Sequence, residues 1–312
     1  MAPPREADDQ RKAPALVRAY DASRPVFERS VMAARALFVG TWLGLLDREA
    51  LHATDELYYR RALKYHDAQY SLSGLFPWEI AAIDRHFQGS RSVLVTAAGG
   101  GREVVALERR GLDVVAFECN PELVQSANEL LSREGLRSRV ALAPRDECPD
   151  EIPMCDGIII GWTSYTLMQH RSTRVHFLRQ LRSHVPHDAP VLLSFFAQRK
   201  TARYLRTVAA TANVFRMLRG RQRAELGDDL VPTFAHHFQE NELAAELEAG
   251  GFRLVEFSQS GETHAVARAA HSAADALATS ALSDPARPAP PAHRAASTHP
   301  AAPESPPRAA GR

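Results

Sequence analysis

Val93-Leu94-Val95-Thr96-Ala97-Ala98-Gly99-Gly100-Gly101-Arg102-Glu103 is an apolar run that breaks into three glycines and then a charged helix start. It reads as a strand, a tight loop and a helix. Consecutive glycines let the backbone turn sharply and approach a ligand closely. In open α/β sheets, ligands bind at the carboxyl ends of the strands, where this loop would lie. A second strand, Val114 to Phe117, ends at Glu118, nineteen residues beyond Gly99. A carboxylate at that point can accept hydrogen bonds from both hydroxyls of a ribose. The dinucleotide pattern needs a third glycine where Val104 stands, and a P-loop needs Gly-Lys-Ser/Thr, which is absent. Glycine richness without a phosphate signature fits a nucleoside ligand lacking phosphates.

Strand–helix alternation continues outward. Asn120-Pro121 reads as a helix N-cap followed by proline at the first helical position. The helix puts Leu123, Val124, Ala127, Leu130 and Leu131 on one face and ends at Gly135. Further strands are expected at Val140 to Ala143, Gly157 to Ile160, Val191 to Phe196, Phe252 to Phe257 and Thr263 to Ala267. Gly157 to Ile160 is apolar on both faces, as a central parallel strand requires. Helices are expected near 102–110, 173–185 and 242–248. Such alternation implies a mostly parallel sheet covered on both faces.

Before Arg91 the pattern is helical, with no strand signal. Val31, Ala34, Phe38, Trp42 and Leu45 or Leu46 recur every three or four residues, which predicts a buried face. A tyrosine-rich stretch spans Tyr58 to Tyr70. After Ala270 there is no aromatic residue, and eight of the chain's twenty prolines lie between Pro285 and Pro307. That segment has too little apolar surface to offset the entropy of ordering. The expected organisation is a disordered N-terminus over 1–14, a helical cap over 15–90, the ligand-binding domain over 91–269 and a disordered Pro/Ala-rich tail over 270–312.

The chain has 312 residues, 45% apolar and 24% charged, with a formal net charge of +1. Near-neutrality removes the long-range attraction to nucleic acid of a strongly basic chain, so no DNA partner is expected. Three cysteines without a CxxC pair argue against a disulfide framework or closed zinc site, and no metal is expected. The longest apolar run, Ala36 to Leu46, is too short to span a bilayer, and the N-terminus lacks a secretory apolar core. A cytoplasmic setting is the expectation.

Taken in order, VLVTAAGGGRE (93–103), VVAFECNPELVQSANELL (114–131), VALAPRD (140–146), CDGIIIGW (155–162), HDAPVLLSFF (187–196) and HHFQENELAAELEAGGFRLVEF (236–257) carry a resemblance. Over about Arg91 to Arg268 the chain resembles the class I S-adenosylmethionine-dependent methyltransferases. The resemblance implies an α/β fold: a Rossmann-like, seven-stranded, mostly parallel sheet with helices on both faces. It also implies S-adenosylmethionine as cofactor and methyl transfer to a small-molecule acceptor. By the same resemblance Ala97, Gly99 and Gly101 belong to the loop beneath the cofactor's methionine, and Glu118 binds ribose. Asn120 follows Glu118, Asp146 accepts from the adenine amino group, and Trp162 lines the cofactor and transfer site. The chain departs from the family in lacking an acidic residue near Val95 and in having Ala97 where glycine is usual.

Methyl transfer from a sulfonium asks mainly for proximity, alignment and exclusion of water, so no catalytic residue is required. Weak candidates for a base are Tyr165, His170 and His237, while Tyr65 and Tyr70 are placed to close the pocket. Arg199 to Arg223 holds eight basic and no acidic residues, and reads either as a solvated helix face or as a lid attracting an anionic acceptor. Two alternatives stay open: a non-catalytic cofactor-binding module, and a methyltransferase acting on RNA or protein through that segment.

Overall fold

The computed structural model describes residues 14–149, 151–259 and 261–271. The expected disordered segments, 1–14 and 270–312, fall almost wholly outside the described residues. Ahead of the sheet come α1 (Ala15–Leu45), α2 (Arg48–Arg61), a 3-10 turn (Leu63–His66), α3 (Ala68–Ser71) and α4 (Pro77–His86). Then follow β1 (Ser92–Thr96), α5 (Arg102–Arg109), β2 (Asp113–Glu118), α6 (Pro121–Arg133), β3 (Val140–Leu142) and β4 (Gly157–Ile160). A 3-10 turn (Ser164–Leu167), α7 (Arg171–Arg182), β5 (Pro190–Ser194), β6 (Phe196–Ala197) and α8 (Ala202–Leu218) come next. The last elements are β7 (Asp228–Leu230), β8 (Phe234–Phe238), α9 (Glu240–Ala249), β9 (Phe252–Ser258) and β10 (His264–Ala269).

Seven strands form the main sheet in the order β3-β2-β1-β4-β5-β10-β9. β10 runs antiparallel to β5 and β9, while β1 to β5 are parallel. This is the Rossmann-like sheet with a reversed last strand. The pleat divides the core cleanly. Leu94, Ile158 and Ile160 face a cluster with Leu178 of α7 and Leu243 of α9. Val93, Val95 and Ile159 face the other cluster, with Val104 of α5 and Leu130 of α6. The strand order reverses between the parallel neighbours β1 and β4, so their carboxyl ends open a crevice for a ligand.

The cap is helical as expected, but α1 buries a different face. Ala36, Val39, Gly40, Leu43 and Gly44 are buried, whereas Val31 (47% exposed), Phe38 (64%) and Trp42 (44%) face outward. Small residues win because α1 packs tightly on α8. A Cβ on Gly40 would lie 2.7 Å from the Val208 carbonyl oxygen. Among the described residues no single helix is long and apolar enough to cross a membrane.

The segment read as a basic lid does not cover the crevice. α8 packs against α1, and several of its basic residues tie the structure together. Arg216 is buried and donates to the carbonyls of Leu43 and Gln222. Arg221 donates to the Leu45 carbonyl, and Lys200 pairs with Asp229. Beyond α8 lie two strands that hydrophobic patterning does not show. β8 pairs with β6 and β7 in a separate three-stranded sheet.

A buried ionic network holds this region to α7 and α9. Arg174 donates to both oxygens of Glu246, at 2.9 and 2.7 Å, and to Glu225 at 2.9 Å. Glu225, Asp228 and His236 bring ligand-type atoms within 4.8 Å of one another, and Arg174 supplies the cation paired with Glu225. Burial would lower His236, but its hydrogen bonds to Asp228 and Glu242 outweigh it and carry the imidazole up to about 9. A histidine raised above its unfolded value stabilises the fold fully below about 6.5, and that contribution disappears as pH rises through the folded value. The urea midpoint should therefore fall between pH 6.5 and 9 for the wild type. His236→Gln should flatten that dependence, and an unchanged slope would show that His236 does not carry it.

Candidate cofactor and acceptor site

A cavity of about 330 Å³ lies over the carboxyl ends of β1 and β2 and the loops after β3 and β4. Its walls come from the glycine loop, Glu118 to Asn120, Pro144 to Asp146, Trp162 and the cap. Glu118 is buried and organises this end of the sheet. Its Oε2 accepts from the Gly99 N–H at 2.9 Å. Its Oε1 accepts from the N–H groups of Cys119 and Asn120, at 2.8 and 2.9 Å. A carboxylate has about four lone-pair sites. Three accepted bonds leave it capacity for a ligand hydroxyl.

The glycine loop is shaped by backbone necessity. Gly99 lines the cavity with φ +54°. Gly100 is pressed by the cap, since a Cβ there would stand 2.4 Å from the Tyr65 carbonyl oxygen. Gly101, by contrast, does not line the cavity. It is the left-handed residue starting α5, and its expected cofactor role reduces to aiming that helix.

Ala97 adopts φ +48°, the conformation that makes glycine usual at this point. A left-handed non-glycine residue costs about 1–2 kcal/mol, partly offset by glycine's greater freedom in the unfolded chain. Ala97→Gly is thus expected to raise Tm by about 1–3 °C, on a scale of about 2–4 °C per kcal/mol. A lower Tm would mean that the alanine methyl packs usefully.

Thr163, directly after Trp162, is also left-handed, with φ +55°. For a β-branched residue this is a genuine outlier. Hydrogen bonds over-determine it: its N–H donates to Ser194 Oγ at 2.7 Å, and its carbonyl accepts from the Thr166 hydroxyl at 2.7 Å. The strain fixes the turn that sets Trp162 against the cavity.

Several expected site residues already have protein partners. Asn120 Oδ1 accepts from the N–H groups of Glu122 and Leu123, so it caps α6 while lining the cavity. Asp146 also lines the cavity and accepts from Arg48 at 3.1 Å. Tyr65 and Tyr70 line it together with Trp162.

The three candidate bases lie elsewhere. Tyr165 is fully buried and donates to Glu246 at 2.8 Å, so it is a core hydroxyl. His170 precedes α7, and His237 stacks on Phe196. None of the three lines the cavity. Spacing after β4 cannot reveal that a 3-10 turn swings Tyr165 inward. Cys119 lines the cavity, but burial and then Glu118 push its thiol up to about 12, which excludes a ready thiolate.

Four buried polar atoms on cavity-lining residues have no hydrogen-bond partner: Asp55 Oδ1, Thr96 Oγ1, Arg145 Nε and Trp162 Nε1. Four further such atoms, on His52, Trp78, His170 and His237, belong to residues outside the cavity's walls. Asp55 and Arg145 are an ion pair joining the cap to the loop after β3. Burial raises the Asp55 carboxyl against the opposing pull of Arg145. Neither residue's role shows in the local sequence, because their pairing spans ninety positions. Beside them, burial and then Arg145 lower His52 to about 4, so it is neutral at pH 7.

Arg102 locks the cap to the glycine loop. Its guanidinium is buried, donating to Glu79 twice at 2.7 Å, to Glu103 at 2.6 Å and to the Gly74 carbonyl at 2.8 Å. It also lies 4.0 Å from the centre of the Phe76 ring.

No family model matches the chain, and no curated protein sequence matches it. Solved structures do. An S-adenosylmethionine-dependent methyltransferase from Methanosarcina mazei is 18% identical, with 64% of this chain and 100% of that one covered and a TM-score of 0.49. The 1,6-didemethyltoxoflavin N1-methyltransferase of Burkholderia thailandensis, with S-adenosylhomocysteine bound, is 19% identical over 70% and 90% of the two chains, with a TM-score of 0.47. An amino pentose methyltransferase from Micromonospora echinaspora, with S-adenosylmethionine bound, is 14% identical over 62% and 92%, with a TM-score of 0.44. Such likeness concerns the fold. Function has to be argued from the site.

Proposed function

We propose that this chain is an S-adenosylmethionine-dependent methyltransferase acting on a small molecule. The observation that carries the reading is the joint presence, around one cavity, of Glu118 with acceptor capacity to spare and a glycine loop without a phosphate signature. These residues fit an adenosyl ligand. Glu118 has acceptor capacity for ribose hydroxyls. Asp55, Thr96, Arg145 and Trp162 add polar side chains to the walls. When bound, the cofactor supplies an activated methyl group on a sulfonium.

This chain's residues bind, orient and exclude water. The left-handed turn at Ala97 and Gly99 carries the backbone beneath the ligand. Asp146 and Arg145 stand after β3, on the side assigned to adenine. The cap, residues 15–90, closes over the ligand through Tyr65 and Tyr70. The cavity volume falls in the range of about 300–1,000 Å³ typical of small-ligand pockets. The basic α8 segment is not part of its walls, which favours a small acceptor over RNA or protein.

Calorimetry with S-adenosylmethionine and S-adenosylhomocysteine tests the reading. Binding of both is expected, and no binding at near-millimolar ligand would overturn it. Incubating cell extract with methyl-labelled cofactor, followed by mass spectrometry, should then reveal a labelled small molecule in a protein-dependent manner.

A further inference from the structure

Three rings that line the cavity also hold a cation. The Lys64 ammonium lies 4.8 Å from the ring centre of Tyr65, 5.8 Å from Tyr70 and 5.1 Å from Trp162. Two of these rings, Tyr65 and Tyr70, stand 5.9 Å apart at 88°. Phe76 backs Trp162 at 5.5 Å. Tyr65 adjoins Lys64 in sequence, so its proximity is local. Trp162 comes from the loop after β4, so the ammonium bridges that loop and the cap. Lysine is rare in this chain, occurring only at 12, 64 and 200. Ring faces attract ammonium groups within about 6 Å, more strongly as water is excluded.

The cavity's charge points the same way. Seven carboxylate side chains line it against three arginines. All three arginines and four of the carboxylates are already paired, Arg102 with Glu79 and Glu103, Arg145 with Asp55, Arg60 with Glu122 and Asp146 with Arg48, which leaves Glu56, Glu118 and Glu147 without an arginine partner among these pairs. Among the described residues no histidine lines the cavity.

We propose that the box of Tyr65, Tyr70 and Trp162 receives the acceptor, that the acceptor carries a basic amine, and that Lys64 is the box's own cation, displaced when the acceptor enters. This rests on the methyltransferase reading above. The acceptor enters as an ammonium and gives one proton to water; the freed lone pair then forms the new N–C bond, and the C–S bond breaks with its electron pair going to sulfur. The product leaves as an N-methylated ammonium. The aromatic faces stabilise the positive charge that moves from sulfur to nitrogen.

Choline and its uncharged isostere 3,3-dimethylbutan-1-ol provide the test. Each is titrated into the full chain with saturating S-adenosylhomocysteine, and tryptophan fluorescence reports binding. Choline is expected to bind at least tenfold more tightly than the isostere. Lys64→Gln should tighten both probes about fivefold, since either must displace the ammonium, and Trp162→Leu, followed by calorimetry because that ring is the reporter, should erase the preference. Equal binding of the two probes, or no choline binding while S-adenosylhomocysteine binds normally, overturns the amine assignment alone. Choline that competes with S-adenosylhomocysteine assigns the box to the donor's sulfonium and also overturns it. Failure of S-adenosylhomocysteine itself to bind would instead remove the methyltransferase reading.

Discussion

Glu118→Ala is expected to weaken S-adenosylhomocysteine binding at least a hundredfold. Two losses combine. The ribose hydroxyls lose a charged acceptor, and a hydrogen bond to a charged group contributes about 1.5–3 kcal/mol. The N–H groups of Gly99, Cys119 and Asn120 also lose their common acceptor, so the glycine loop and the β2 exit are no longer fixed to each other. A hundredfold change corresponds to about 2.8 kcal/mol, which either loss would nearly supply alone. Glu118→Gln should be almost as damaging. Its amide nitrogen would face an N–H donor whichever way the side chain is turned. Calorimetry gives the affinity, and circular dichroism shows whether the sheet persists. Affinity within threefold of wild type in folded Glu118→Ala would mean that ribose binds elsewhere.

The sheet was legible because its signals are local. Gly157 to Ile160 is apolar on both faces, and the structure buries all four residues between two layers. Asn120 and Pro121 announce a helix start chemically, and Asn120 performs that capping. The place of Glu118, at a strand end beside the glycine loop, was legible because strand-end position and distance along the chain are one-dimensional facts. What escaped depends on pairing across the chain. β7 and β8 include Asp228, Asp229, His236 and His237, which look like loop residues until His236 pairs with Asp228 and Glu242, and Asp229 with Lys200. The buried face of α1 departs from the three-or-four-residue apolar recurrence because close approach to α8 selects Gly40 and Gly44. Asp55 and Lys64 sit on an ordinary charged helix and turn. Only the fold brings one to Arg145 and the other to Trp162.

Arg102→Ala is expected to lower Tm by about 10 °C and to loosen cofactor binding through the cap. Removing one member of a buried charge group costs about 3–5 kcal/mol, because the remaining charges stay buried without compensation. Here Glu79 and Glu103 would be left facing each other. Burial already raises the Glu103 carboxyl, so loss of Arg102 should drive one of the two toward protonation. At about 2–4 °C per kcal/mol the cost converts to roughly the stated shift. The effect reaches function because the same guanidinium holds the Gly74 carbonyl and α4 to the first residues of α5. Without it, Tyr65 and Ser71 need not stay pressed on Gly100. Arg102→Lys should recover little, since an ammonium cannot bridge Glu79 with two parallel bonds while reaching Glu103. Glu79→Gln separates the two consequences. It keeps the shape and leaves Arg102 paired with Glu103, so stability should fall by less. Thermal denaturation and S-adenosylhomocysteine titration of the three variants distinguish the outcomes. A Tm within 2 °C of wild type for Arg102→Ala would show that water, rather than the protein, meets these carboxylates.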